Sequence, residues 1–403
     1  MQASVWSRVA LISLGGFFEF YDIFFAGYIA PGLVRSGILG ASSSIAGFVA
    51  AMFSGLFVGT ALVSFVADRF GRRTIFTYSL LWYTVASVIM AFQQDAFGLN
   101  LWRFISGIGV GVELVTIDTY LSELVPANLR GRAFAINQSI QFCAVPVVAL
   151  LAWQLVPRAP LGLDGWRWVV LLGASGAIVV WWIRRRVPES PRWLAQQATP
   201  ASGSFAEMWQ PPYRMRSTML IVFHLFQTVG FYGFSNWVPT LLIKRGIAIT
   251  SSLRYTFIIA VAAPFGPLLA ASIADRLERK WQIVSSAFAI AVSGLLFGQM
   301  NAAASLIFFG VLLTLANNIM SFSSHAYQAE LYPTRIRALA VGFVYSWSRI
   351  SVVFSSFVIG FVLDRFAVAG VFTLIAGSML IVMLAIGPFG PRTNNLALET
   401  ISN

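Results

Sequence analysis

Asp68-Arg69-Phe70-Gly71-Arg72-Arg73 returns 207 residues later as Asp275-Arg276-Leu277-Glu278-Arg279-Lys280. Glu123-Leu124-Val125-Pro126-Ala127-Asn128-Leu129-Arg130 returns at the same interval as Glu330-Leu331-Tyr332-Pro333-Thr334-Arg335-Ile336-Arg337. One offset shared by Asp68/Asp275, Glu123/Glu330, Pro126/Pro333 and Arg130/Arg337 marks an internal duplication, not a chance match of short charged strings. Each string closes a long apolar run, so the duplicated unit is embedded in a membrane.

Composition agrees. The 403 residues are 58% hydrophobic and only 10% charged, with a mean hydropathy of +0.78, whereas a soluble domain carries about 25% charged residues. Apolar stretches long enough to cross a bilayer fall at 6–31, 44–66, 74–92, 98–122, 132–155, 167–183, 217–242, 252–273, 281–299, 304–329, 338–363 and 369–387. The pattern predicts an all-α membrane protein of twelve transmembrane helices in two pseudo-symmetric six-helix bundles. The expected divisions are a first bundle over 1–187, a cytoplasmic linker over 188–216 rich in Pro, Ser, Gln and Thr, a second bundle over 217–388, and a cytoplasmic tail over 389–403. The first span carries Glu19 and Asp22 and has no small-residue cleavage site, so it reads as a retained helix. The single Cys143 excludes an intrachain disulfide and a thiolate metal cluster.

A net charge of +12 can indicate a nucleic-acid partner, but its distribution points elsewhere. With the N-terminus inside, 18 of the 27 Lys and Arg fall on inner segments and seven on outer loops, leaving Arg103 and Arg349 within spans. That asymmetry follows the positive-inside rule. It predicts a multi-pass protein of the plasma membrane, the inner membrane of a bacterium, with both termini cytoplasmic and no nucleic acid bound.

Charged residues at the centre of a span cost about 2.5–3.5 kcal/mol each on insertion scales and mark function or pairing. The third, sixth, ninth and twelfth spans have none through their middles and should face lipid. Ionisable and amide side chains gather in the first, fourth, fifth, seventh, tenth and eleventh spans. Those six helices should line a wet cavity, and two membrane-embedded repeats around such a site are how many secondary transporters are built.

The repeated Asp-Arg-x-Gly-Arg-Arg string and twelve spans in two halves resemble the major facilitator superfamily. Within it, Arg103 leading through Gly107, Gly109 and Gly111 to Glu123 and Arg130, then Asn137-Gln138 and Pro188-Glu189-Ser190-Pro191-Arg192-Trp193, are similar to the sugar porters and the metabolite:proton symporters. There are departures. Ser64 stands where the first motif usually opens with Gly, Glu278 replaces the Gly of its second copy, and Gly390-Pro391-Arg392-Thr393 stands where sugar porters carry Pro-Glu-Thr-Lys-Gly. In the seventh span Gln227 matches the second Gln of the sugar porters' pair, Phe226 replaces the first, and Tyr232 replaces an Asn. His325 falls at the position of a cavity Trp, and the hexose reading is weakened accordingly.

The eleventh span, Gly342 to Ser351 with Tyr345 and Arg349, is similar to the same helix of organic anion transporters, whose Arg faces the cavity. A guanidinium stays charged and matches a carboxylate in shape, so the resemblance implies an anionic substrate. The alternative is an internal ion pair of Arg349 with Glu113 or Asp118. Gly15-Gly16 through Tyr21-Asp22 aligns with proton-coupled sugar porters, in which that Asp faces an Arg of the fourth helix, here Arg103. The resemblance implies a proton-coupling pair, against a permanent structural salt bridge. Glu19, three residues before Asp22 and expected on its face, is a second proton site or a structural hydrogen-bonding group. Asn137, Gln138, Gln141, Gln227, Tyr232, Tyr345, His325 and Asn318 complete the candidate substrate set, each with helix packing as its alternative. His224 reads as a buried polar residue.

Asp68, Arg72, Glu123, Arg130, Glu189 and Arg192, with Asp275, Arg279, Glu330 and Arg337, should form charge networks that gate the cytoplasmic mouth, as the resemblance implies. No Gly-x-x-x-x-Gly-Lys-Ser/Thr string, metal-ligand spacing or nucleophile motif occurs, so neither an ATP motor nor an enzyme is expected. The sequence therefore predicts a monomeric transporter in the lipid bilayer that uses no cofactor beyond the proton gradient. Its expected activity is symport of a small carboxylate-type anion. Sugar or polyol symport, and proton-driven efflux of amphipathic or cationic compounds, are the other transport readings.

Overall fold

The computed structural model describes residues 5–40, 42–70, 72–125, 129–184, 204–273 and 276–393. Among them are helices and loops and no strand. The helices are α1 (Val5–Arg35), α2 (Ser42–Phe70), α3 (Arg72–Ala91), α4 (Ala96–Leu124), α5 (Arg130–Phe142), α6 (Ala144–Leu155), α7 (Gly165–Arg184), α8 (Tyr213–Ser235), α9 (Val238–Lys244), α10 (Ile249–Ala260), α11 (Phe265–Ile273), α12 (Arg279–Gln299), α13 (Ala303–Glu330) and α14 (Thr334–Phe389).

These make twelve membrane crossings, because three expected spans are broken in two. Each break follows from a proline. Proline lacks an N–H for the carbonyl four residues earlier and clashes with it; α5 stops at Phe142, four before Pro146, α8 at Ser235, four before Pro239, and α10 at Ala260, four before Pro264. The fifth span is thus α5 with α6, the seventh α8 with α9, and the eighth α10 with α11. Conversely, α14 is 56 residues long and doubles as the eleventh and twelfth spans, turning at Ala367, whose φ of 54° lies in the left-handed region. The expected loop there is reduced to that one residue. Ahead of α8, the 3-10 turn Phe205–Trp209 docks through the fully buried Met208, whose carbonyl accepts from Ser217 Oγ at 3.1 Å.

Large apolar side chains of α3 (Tyr78, Trp82), α7 (Val179, Trp182), α12 (Phe288) and the end of α14 (Leu380, Leu384) are exposed, as a lipid-facing layer requires. Phe354 and Phe361 make one side of the eleventh span lipid-facing as well.

Helices α2 and α4 touch backbone to backbone. Gly55 and Gly59 of α2 lie against the carbonyls of Phe104 and Ile108, and Gly107 and Gly111 of α4 lie against those of Met52 and Leu56. Small residues at four-residue spacing permit this approach. A Cβ on Gly107 would stand 2.2 Å from the Met52 oxygen. Gly107→Leu is therefore expected to destabilise the fold by about 1–3 kcal/mol or more, read as a lower unfolding temperature in detergent. Gly377→Ala, where a Cβ meets nothing within 4 Å, should not lower that temperature.

Candidate functional site

A cavity of about 730 Å³ lies between the two halves of the chain, walled by α1 and α5 on one side and α8, α13 and α14 on the other. It extends to Gly131, Arg132 and Arg279, at the end of the helices where the basic strings lie. At the opposite end the halves meet. Ser42 Oγ donates to Asp364 Oδ1 at 2.7 Å, and Lys244 Nζ approaches the same oxygen at 3.4 Å. A Cβ on Gly27 of α1 would lie 2.2 Å from the Asn236 carbonyl oxygen, so α1 and the α8–α9 joint are in backbone contact. Between this seal and the cavity lies a cluster of rings. Tyr232 stacks on Phe24 at 6.2 Å and meets Phe53 edge-on at 4.6 Å, while Phe231 packs against Phe24 and Phe142.

Arg349 is the cationic centre of the cavity wall. It is 2% exposed, its Nη1 donates to the Tyr232 hydroxyl at 3.0 Å and its Nη2 to the Tyr345 hydroxyl at 2.9 Å. The Tyr345 ring, one helical turn earlier, lies 4.8 Å from the guanidinium carbon and is flanked by His224 at 5.3 Å and His325 at 5.2 Å. Phenols held as acceptors by a guanidinium stiffen it without neutralising it. Among the described residues no carboxylate lies within 4.0 Å of Arg349, and Glu113, one of its two anticipated partners, is buried on α4. The side chain of Asp118, the other, lies outside the described residues.

Of the anticipated substrate residues, Asn137, Gln138, Gln141, Gln227, Tyr232, His325, Tyr345 and Arg349 all line this cavity. Their setting differs. Asn137 Oδ1 accepts from Ser13 at 2.9 Å, Gln141 fills the space over Gly16, and Gln138 reaches across the halves to Ser321 at 3.4 Å. The buried Gln227 Oε1 has no hydrogen-bond partner. Asn318 is a correction: it does not line the cavity but packs its Cβ against Gly266, closing α13 on α11. It shares a face with His325 yet lies two turns nearer the sealed end. His224, behind the wall, has its Nε2 2.9 Å from Oε1 of Gln328, which lines the cavity.

Asp22 and Arg103 are joined by an ion pair of 3.0 Å. The carboxylate also accepts from Ser87 at 2.8 Å and Ser106 at 2.9 Å, and Arg103 donates to the Asp22 carbonyl at 2.6 Å and rests on the Phe25 ring at 4.2 Å. This cluster does not reach the cavity; Asp22 borders a separate void of about 10 Å³ among α1, α3 and α7. Glu19, by contrast, lines the cavity. The expected common face is overturned: three residues are about 60° apart around a helix, and here a wall of the bundle passes between them. Glu19 and Arg349 line the same cavity from opposite halves of the chain.

Of the gate strings, Arg279 Nη1 pairs with Glu330 Oε1 at 2.5 Å beside the basic mouth, and Arg337 Nε donates to the Tyr332 carbonyl at 3.1 Å. The side chains of Asp68, Arg72, Glu123 and Arg130, and all of Glu189, Arg192 and Asp275, lie outside the described residues. The sequence reading missed Phe20, Phe24, Phe142 and Phe231 as wall residues. Their signal was present, since Phe20 and Phe24 recur at four-residue spacing beside Glu19.

The Major Facilitator Superfamily profile matches residues 12–303. YyaJ of Bacillus subtilis, whose name assigns it to metabolite transport without a substrate, is 31% identical over 94% of this chain and 90% of its own. The niacin transporter NiaP of Acinetobacter baylyi is 29% identical over 97% of this chain and 95% of its own. Among solved structures, a D-xylose-proton symporter superposes with a TM-score of 0.81 at 21% identity, covering 97% of this chain and 99% of that one. An inward-open structure of the xylose transporter XylE from E. coli gives 0.80 at 20% identity, with 99% of each chain covered. The chain therefore belongs to the Major Facilitator Superfamily and is a multi-pass membrane transporter, not an enzyme.

Proposed function

We propose that this transporter is a proton-coupled symporter of a small organic acid, and the observation that carries the reading is Arg349. A buried guanidinium in the central cavity, braced by two phenols and with no carboxylate within ion-pair distance among the described residues, is suited to an anion. Its planar fork gives a carboxylate two parallel hydrogen bonds. The rings of Phe20, Phe24, Phe142 and Phe231 offer the rest of the cargo an apolar bed, and the unpartnered Gln227 oxygen calls for a donor group. The relative named as a niacin transporter supports this chemistry, because niacin is a planar pyridine carboxylic acid. The amides of Gln138, Gln141 and Gln227 also favour a second reading, a sugar or polyol bound through its hydroxyls.

In this reading the two bundles rock about the cavity. The seal at Ser42–Asp364 and the opening toward Arg132 and Arg279 support an inward-facing state, and in this reading the transporter works as a monomer in a bacterial inner membrane with both termini in the cytoplasm. The Arg279–Glu330 pair belongs to the gate that must rearrange at the inner mouth. The buried acids of the first span, Asp22 with Arg103 and also Glu19, form the proton-coupling set, through which one proton passes per cargo. A monoanion entering with one proton moves no net charge, so the pH gradient alone drives it, at about 1.4 kcal/mol per pH unit.

Proteoliposomes given an inward pH gradient are expected to accumulate a radiolabelled carboxylate; depletion of preloaded compound would point to efflux instead. Arg349→Ala is expected to weaken acidic ligands by about 2–5 kcal/mol, a tens- to thousands-fold loss, while neutral ligands of the same shape lose little. Equal losses for both would remove the anion assignment. Asp22→Asn should abolish pH-driven accumulation and leave exchange of cargo across the membrane in place, which a counterflow assay reads directly.

A further inference from the structure

The two acids of the first span occupy different places, and this separates their tasks. Asp22 is held by Arg103, Ser87 and Ser106 and does not line the cavity. Cargo in the cavity cannot touch it. Glu19 is on the cavity wall, on the opposite half of the molecule from Arg349, and the two line the same space. Away from the mouth, the buried part of the cavity wall thus carries one guanidinium, Arg349 of α14, and one carboxyl group, Glu19 of α1, both side chains nearly or wholly removed from solvent.

We propose that Glu19 is the group that senses cargo: a carboxylate seated on Arg349 leaves two negative charges opposing one positive, and Glu19 takes up the proton that travels with the cargo. The balance is simple. One carboxylate and one proton enter from the open side, Glu19 becomes neutral, the cargo remains ionised against Arg349, and the net charge of the cavity is unchanged. Like charges brought together in a poorly solvated site are relieved by protonating one of them. The remaining titratable and charged groups on the wall do not offer the same relief. Arg279 is committed to Glu330, and Arg132 stands at the solvent mouth. Tyr232 and Tyr345 accept from Arg349, and His325 packs on Tyr345. From the helix behind, Arg103 belongs to Asp22, and Glu113 is buried on α4.

The proposal rests on the anion reading of Arg349, and the two fail separately. The probe is benzoate, which has no second titratable group, with benzamide as its uncharged counterpart and nicotinate as a second acid. Binding to the purified full-length protein is measured by titration calorimetry in buffers of different ionisation heat, which counts protons taken up. Wild type is expected to absorb about one proton per benzoate and none per benzamide, with benzoate affinity falling up to about tenfold per pH unit. Glu19→Gln should bind benzoate with no proton uptake and a flat pH profile, and Glu19→Asp should restore both. If wild type binds benzoate without proton uptake, or Glu19→Gln still takes up the proton, the role of Glu19 is overturned while the anion reading stands. If neither benzoate nor nicotinate binds to wild type, the anion reading falls and this proposal with it. Should Glu19→Gln not fold, the wild-type proton count and the Glu19→Asp profile still decide.

Discussion

The structure is governed by one constraint: inside a bilayer there is no water to satisfy a polar group. Backbone polar groups are met within helices, and side-chain charges are met by partners or by a cavity. Arg103 shows the first solution, with its guanidinium shared among the Asp22 carboxylate, a backbone carbonyl and the Phe25 ring. Arg349 shows the second, held by two phenols at the edge of a 730 Å³ space. The first pair is closed off from the cavity. Arg349, unlike Arg103, lies on the wall of that space.

The broken helices obey the same constraint. Each proline break frees a carbonyl, and such breaks are tolerated in membranes only where neighbouring protein or water takes over. All three joints are in helices that meet the opposite half. The α8–α9 joint lies against Gly27 of α1, and the α5–α6 joint follows Gln141 and Phe142 on the cavity wall. The third, between α10 and α11, brings Gly266 against Asn318.

Much of this was legible in the sequence. The 207-residue offset and the placement of Lys and Arg carry the duplicated twelve-span architecture, because both report the position of the bilayer. The proline positions held the three breaks, and the amides of the fifth span lie where their spacing puts them. What could not be read is which side of a helix a neighbour covers. Glu19 and Asp22 are close in angle, yet α3 and α4 enclose one and the cavity takes the other. Asn318 and His325 share a helical face, but they lie at different depths, and only at one of those depths does α11 close in. Periodicity fixes direction around an axis; it does not say where along that axis the partner helix stops.

Tyr232 belongs to two assemblies at once. Its hydroxyl accepts from Arg349, and its ring is wedged against Phe24 and Phe53 of the other half. A single side chain cannot leave one neighbour and keep its register with the other. Parting the halves on the sealed side must therefore tug on the Arg349 guanidinium, and any shift of that guanidinium must tug on the seal, with no intermediary needed between the two.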